Sequence, residues 1–159
     1  MKGRMRELLE VMPQKGKVEW MGIRTQKRGV VTEVSEVNIS IESGIEGDHY
    51  VGKSKKRQVT LLQKEHLTAV AAILKKDINP SLTRRNIVVS GINLLALKEK
   101  QFSIGKEVIL EYTGLCHPCS RMETNLGTGG YNAMRGHGGI TAKVIQGGNI
   151  KNGDIVEYK

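Results

Sequence analysis

A chain of 159 residues with 38% hydrophobic side chains is long enough to bury a core and falls within the usual size of one domain. Its 25 Lys and Arg against 16 Asp and Glu, a formal charge of +9, favour anionic partners: phosphate-bearing small molecules, nucleic acid or acidic proteins. No apolar run reaches the length of a membrane span, the first residues show no signal segment, and two cysteines are too few for a disulfide framework; the expected setting is the cytoplasm, with no membrane partner.

Residues 1–15 read as a short helical lead-in stopped at Pro13. From Lys17 the pattern turns strand-like through Val18, Trp20 and Ile23. After Gly29 it resumes at Val30 and Val31, with Val37, Ile39 and Ile41 alternating with Asn38, Ser40 and Glu42. Gly44, Gly47-Asp48 and Gly52 break regular structure, and Lys53-Ser54-Lys55-Lys56-Arg57 reads as a solvated loop before a strand at Gln58-Val59-Thr60-Leu61-Leu62. One helix is expected from Lys64 to Lys76, where Leu67, Val70, Ala71 and Leu74 fall on one face. Asn79-Pro80-Ser81 ends it, Asn86-Ile87-Val88-Val89 reads as a strand before Gly91, and Leu94, Leu95 and Leu97 form a short apolar element. Phe102-Ser103-Ile104-Gly105 leads into a strong strand from Glu107 to Thr113. A Gly-rich stretch follows Cys119, and strands at residues 140–145 and 154–158 close the chain. Many short strands, one sizeable helix and Gly-rich corners predict a mainly β fold, a closed β-barrel with a few short helices.

Cys116-His117-Pro118-Cys119 follows directly on a strand, and three chemistries compete for it. A thioredoxin-like redox pair wants a βαβ unit, which the pattern does not show. A zinc site wants about four ligands, and His49, His66, His117 and His137 lack convincing spacing to complete one. The third is a single reactive or metal-ligating thiolate at a strand-to-helix turn, with Arg121 and nearby basic residues supplying a positive field. Thr83-Arg84-Arg85-Asn86 offers two guanidiniums beside an amide, a fork for phosphate or another oxyanion. The segments Gly127-Thr128-Gly129-Gly130 and Arg135-Gly136-His137-Gly138-Gly139 let backbone approach a ligand, and neither fits a Walker or dinucleotide fingerprint. Asp48 and His49 have the chemistry for acid–base work.

Seven ordered blocks resemble the MOSC domain, the C-terminal domain type of molybdenum cofactor sulfurases. They are Gly44-Ile45-Glu46-Gly47-Asp48-His49, Arg57-Gln58-Val59-Thr60-Leu61, Arg84-Arg85-Asn86-Ile87-Val88-Val89 with Gly91-Ile92-Asn93-Leu94, and Gly105-Lys106-Glu107-Val108. The series continues with Thr113-Gly114-Leu115-Cys116-His117-Pro118-Cys119, Arg135-Gly136-His137-Gly138-Gly139-Ile140 and Gly147-Gly148-Asn149-Ile150-Lys151-Asn152-Gly153-Asp154. The resemblance implies one MOSC domain over residues 1–159, with its core at about 17–158 and residues 1–15 as a lead-in, folded as a barrel of the pyruvate-kinase type. It further implies a molybdopterin-bound molybdenum cofactor, with Cys119 as metal ligand or persulfide carrier and as the catalytic residue, and Cys116 as accessory. Its implied cofactor contacts are Arg84, Arg85, Asn86, Thr113, Cys119, Arg135 and Gly138. The activity it implies is sulfur or cofactor carriage, or the molybdenum subunit of an oxidoreductase acting on N-hydroxylated compounds, served by a redox or sulfur-donor protein. The alternatives are a basic barrel that binds nucleic acid, disfavoured by 4% aromatic content, and a zinc-binding module.

Overall fold

Alternating and fully apolar strand segments dictate two kinds of burial here, one inside a barrel and one between the barrel wall and helices. The computed structural model describes residues 3–50 and 54–159. The expectations that fall on Gly52 and Lys53, and on the first two residues of the lead-in, lie outside the described residues. Helix α1 (Arg4–Leu9) precedes β1 (Gly16–Ile23), β2 (Thr32–Val34), β3 (Glu36–Ser40) and β4 (Gly44–Ile45). A 3-10 turn (Lys55–Arg57) leads into β5 (Val59–Gln63), α2 (Lys64–Leu74), a second turn (Pro80–Thr83) and β6 (Ile87–Ser90). A third turn (Leu94–Leu97) precedes β7 (Gln101–Ile104) and β8 (Val108–Leu115). After these come α3 (Arg121–Leu126), α4 (Gly130–Met134), β9 (Ile140–Gln146), β10 (Gly148–Lys151) and β11 (Ile155–Tyr158).

Seven strands in the order β11-β7-β8-β9-β5-β6-β1 close on themselves through the β1–β11 pair, with β2 attached to β1. Strands β10, β3 and β4 form a separate antiparallel sheet. Closure leaves few edges exposed, which is how an all-β unit avoids templating pairing with other chains. The fold is thus the mainly β barrel expected from the sequence.

Successive residues of a strand face opposite ways, so each barrel strand feeds two cores. Leu61, Ile87, Val89, Phe102, Ile104, Leu110 and Ile140 point inward and are fully buried. Leu62 and Val88, offset by one position, pack outward with Trp20 against Leu67 and Val70 of α2, Met122 and Leu126 of α3, and Ala133 and Met134 of α4. This double burial explains why Ile87-Val88-Val89 is apolar without alternation.

Four details depart from the sequence reading. Strands β5 and β6 pair in parallel, Leu61 opposite Ile87, with α2 as the crossover, so a βαβ unit does exist. The cysteine segment, however, follows β8, an antiparallel strand outside that unit. Helix α2 stops at Leu74, where Lys75 turns left-handed (φ 57°), and Ile41 lies in an exposed turn beyond β3. The Gly-rich stretch after Cys119 holds α3 and α4, too short for helical periodicity to show. Among the described residues no helix is long and apolar enough to cross a membrane.

Leu110→Ala, inside the barrel, is expected to lower unfolding free energy by about 2–5 kcal/mol. Ile73→Ala, on the exposed face of α2, should change it by less than about 0.5 kcal/mol. Urea unfolding followed by circular dichroism checks both.

Candidate functional site

Strand β8 carries a bulge: Tyr112 pairs with Ala142 and Gly114 with Thr141, leaving Thr113 as the extra residue. Bulges re-aim the chain that follows. Here that chain is Leu115-Cys116-His117-Pro118-Cys119, running from the end of β8 to the start of α3. The Thr113 hydroxyl donates to the Lys56 carbonyl and shares a 2.8 Å hydrogen bond with the Thr141 hydroxyl. Thr113 therefore braces the bulge, and it does not line the cavity described below.

The two cysteines, both free, sit very differently. Cys116 is buried. Its N–H donates to the Gly139 carbonyl (2.8 Å), its carbonyl accepts from Arg85 Nη2 (3.0 Å), and its Sγ accepts from Arg57 Nη2 at 3.7 Å. Cys119 is exposed, and its carbonyl accepts from Met122 N (2.9 Å), opening the first turn of α3.

Arg85 is buried and spends its guanidinium on backbone carbonyls. Nε donates to Gly138 (2.8 Å), Nη1 to Thr83 (3.0 Å), and Nη2 to Cys116 (3.0 Å) and His117 (3.4 Å). A single Nη1 N–H is left for anything else. Burial pushes the Arg85 pKa down, and the charges of Arg57 and Arg24 push the same way. Gly138 must be glycine for this clamp: a Cβ there would lie 2.1 Å from the Cys116 carbonyl oxygen. Gly139 is equally constrained, with φ of +84° and the Leu61 carbonyl 1.9 Å from any added Cβ.

Asn86 performs the matching task toward β1 and β5. Its Oδ1 accepts from Thr60 N and Oγ1, both at 3.1 Å. Its Nδ2 donates to the Gly22 carbonyl (3.2 Å) and to Asp48 Oδ1 (3.4 Å). Asp48 in turn accepts from Arg24 N (2.8 Å) and Tyr50 N (3.3 Å), so its carboxylate holds the turn that carries His49.

These segments enclose a cavity of about 380 Å³. Both cysteines line it, together with Asn86, Thr60, Asp48, His49 and Tyr50, and seven Lys and Arg side chains. Arg24, Arg84 and Arg121 are half-buried, Arg85 is buried, and Lys27, Arg28 and Arg57 are exposed at the mouth. Asp48 is the single carboxylate among the lining residues. Arg84 adopts φ +60°, aims Nη1 at the Gly29 carbonyl (3.1 Å), and has its pKa pushed down by burial and then by Arg24 and Arg121. Arg24 Nε is buried with no partner, a donor that lacks an acceptor.

The structure thus gathers Cys119, Arg84, Arg85 and Asn86 at one cavity. Gly138 abuts it through the Arg85 clamp, while Arg135 is exposed and lies outside the lining. Arg24, Lys27 and Arg28 are additions that the sequence reading did not single out. The available signal was three cations within five residues, directly after the strand that ends at Ile23. Among the described residues no three His, Cys, Asp or Glu side chains cluster as a metal-ligand set.

A MOSC domain profile matches residues 47–157. The chain belongs to the MOSC domain family. Among solved structures, this MOSC protein is similar to YuaD from Bacillus subtilis, with TM-score 0.80 and 22% identity over 93% of this chain and 98% of that one. It is also similar to YiiM from Geobacillus stearothermophilus (TM-score 0.71, 14% identity, 91% and 75% covered) and YiiM from Escherichia coli (0.67, 16%, 90% and 69%). At these identities the likeness concerns the fold. A search of curated protein sequences gives no match.

Arg85→Met leaves the carbonyls of Gly138, Thr83 and Cys116 without their donor; a loss of about 1–3 kcal/mol is expected by urea unfolding. A second expectation concerns His66, whose ring meets that of His137 edge-on at 5.2 Å. Burial, then the His137 charge, pushes the His66 pKa down. A base depressed in the folded state binds its proton more readily when unfolded, so stability present above about pH 6.5 is lost as pH falls through the folded value. The midpoint of thermal unfolding should therefore drop between pH 7 and pH 5.5, and His66→Gln should flatten that slope.

Proposed function

We propose that this MOSC protein binds a molybdenum–pterin cofactor in the cavity, with Cys119 as the metal ligand or as a carrier of persulfide sulfur. The observation that carries this reading is the pairing, within one cavity, of an exposed thiol with half-buried guanidiniums, one of which holds an unpartnered Nε. The donor set fits such a group. A thiolate suits a soft metal, and Arg24, Arg84 and Arg121 supply charge-assisted donors for a phosphate. A bound anion would also give Arg24 Nε its acceptor and offset the repulsion that, after burial, pushes the Arg84 pKa down. When bound, the cofactor supplies a redox-active metal able to exchange oxygen or sulfur with a substrate.

The chain's own residues divide the remaining work. Arg85 and Asn86 position the thiol loop and the Asp48 turn rather than donating freely into the cavity. Exposure gives Cys119 access to a donor or substrate that the buried Cys116 lacks. The function proposed is sulfur or cofactor carriage, or oxidoreduction of N-hydroxylated compounds as a molybdenum subunit served by a separate redox or sulfur-donor protein. Its setting is the cytoplasm, where thiols such as these stay reduced.

Protein from a cofactor-competent host is expected to hold molybdenum and pterin in near-equal amounts. Cys119→Ala should lose the metal, while the pair Arg24→Ala and Arg84→Ala should lose pterin and metal together. Elemental analysis and pterin fluorescence check this; wild-type protein without molybdenum, or metal retained in Cys119→Ala, sinks the proposal.

A further inference from the structure

The cations around the cavity fall into two sets with different uses. Arg24, Arg84 and Arg121 are half-buried and line the same cavity. Lys27, Arg28 and Arg57 are exposed at the mouth, and Lys55 and Lys56 extend the same 3-10 turn as Arg57 outward. Among the described residues none of these five exposed cations forms an ion pair. Lying on two exposed segments, they present a charged rim to something larger than the cavity.

Cys119 also borders a second depression, lined by Pro118, Ser120, Glu123 and Tyr131. Tyr131 is 41% exposed, and Leu115, 48% exposed, joins Pro118 in the neighbouring depression. Glu123 is held there by Gly129 N (2.9 Å) and Tyr131 N (3.0 Å), so its carboxylate fixes the Tyr131 turn. An accessible thiol between an unpaired cationic rim and the side chains of Pro118, Tyr131 and Leu115 offers a protein partner both charged and apolar contacts. Nucleic acid fits less well, because Tyr50, the aromatic residue lining the cationic cavity, is half-buried and its hydroxyl donates to the Ser54 carbonyl.

We propose that the surface around Cys119 is the docking site of an acidic carrier protein, whose carboxylates meet Lys27, Arg28, Lys55, Lys56 and Arg57 while an apolar contact seats on Pro118, Tyr131 and Leu115. The proposal rests on the cofactor reading for the need of a carrier to reach this thiol. The surface itself stands on charge and shape.

The test follows hydrogen–deuterium exchange of residues 115–131 in the full chain, read by peptide mass spectrometry, with an acidic flavodoxin, an acidic ferredoxin or an oligothymidylate as probe. Molybdenum content is measured on the same preparations. An acidic carrier is expected to slow exchange in that segment at low salt, and 0.5 M salt should abolish the effect. Lys55→Glu with Lys56→Glu should weaken protection about tenfold with metal content unchanged, since neither residue lines the cavity. Tyr131→Ala should weaken it as well, and Lys106→Glu with Lys151→Glu, exposed at a separate depression, should leave it intact. The docking proposal is overturned if neither carrier protects this segment or if the Lys55/Lys56 reversal has no effect. Stronger protection by the oligothymidylate, independent of Tyr131, overturns it in favour of nucleic acid. Loss of molybdenum from wild-type protein with carrier protection intact overturns the cofactor reading instead.

Discussion

A guanidinium taken out of water is tolerable only where its donors are matched, and Arg85 matches its donors with carbonyls from three separate segments. One bond closes onto Thr83, just before β6. Two reach Cys116 and His117 beyond β8, and one reaches Gly138 before β9. The thiol loop therefore cannot move without leaving a buried charge underbonded. Its neighbour Asn86 ties β5, β1 and the Asp48 turn in the same manner. Two consecutive side chains thus set the distance between the wall that carries the cysteines and the wall that carries Arg24. The glycine at 138 belongs to the same device, since any Cβ would displace the Cys116 carbonyl that Arg85 holds.

That rigidity has an electrostatic consequence. Burial first, and then the charges of Arg24 and Arg121, push the Arg84 pKa down, so these half-buried cations repel one another. A flexible surface would let the cations drift apart. Here the Arg84 backbone is fixed in a left-handed conformation at the end of a 3-10 turn, and the Arg24 backbone is tied to Asp48. An anion placed among these cations would relieve repulsion that the fixed backbone maintains in the free protein. The inner arginines differ in this from Lys27, Arg28 and Arg57 at the mouth, which stay solvated.

Much of the scaffold was legible because β3 and α2 obey simple patterns. Val37 and Ile39 alternate with polar neighbours, and the apolar face of α2 repeats at helical spacing. The parallel β5–β6 pair was not legible, since parallel and antiparallel strands share composition and only the crossover distinguishes them. Helices α3 and α4 bury Met122, Leu126, Ala133 and Met134 but lie between glycines that read as loop. At the site, residues 84–86 and 116–119 stood out as dense local motifs. Arg24 did not, because its importance comes from the opposite wall: a cation after a strand is ordinary until the fold brings Arg84 and Arg121 to face it. Arg85 was visible as a charge, yet its burial against carbonyls depends on Gly138, fifty-three positions away.

The difference between the two cysteines follows from the same geometry. Three residues apart in a loop, they would be equivalent by composition. The fold fixes Cys116 at its N–H, its carbonyl and its sulfur, placing it at the junction of β8, β9 and the Arg85 clamp. Pro118 and the opening turn of α3 then carry Cys119 outward, where it borders both the cationic cavity and the apolar shelf of Tyr131. One thiol is thus part of the frame and the other is presented by it. A reactive group needs a rigid mount and an open approach, and a single cysteine cannot easily have both when buried. The Cys116–Cys119 spacing supplies the mount at its first position and the approach at its second.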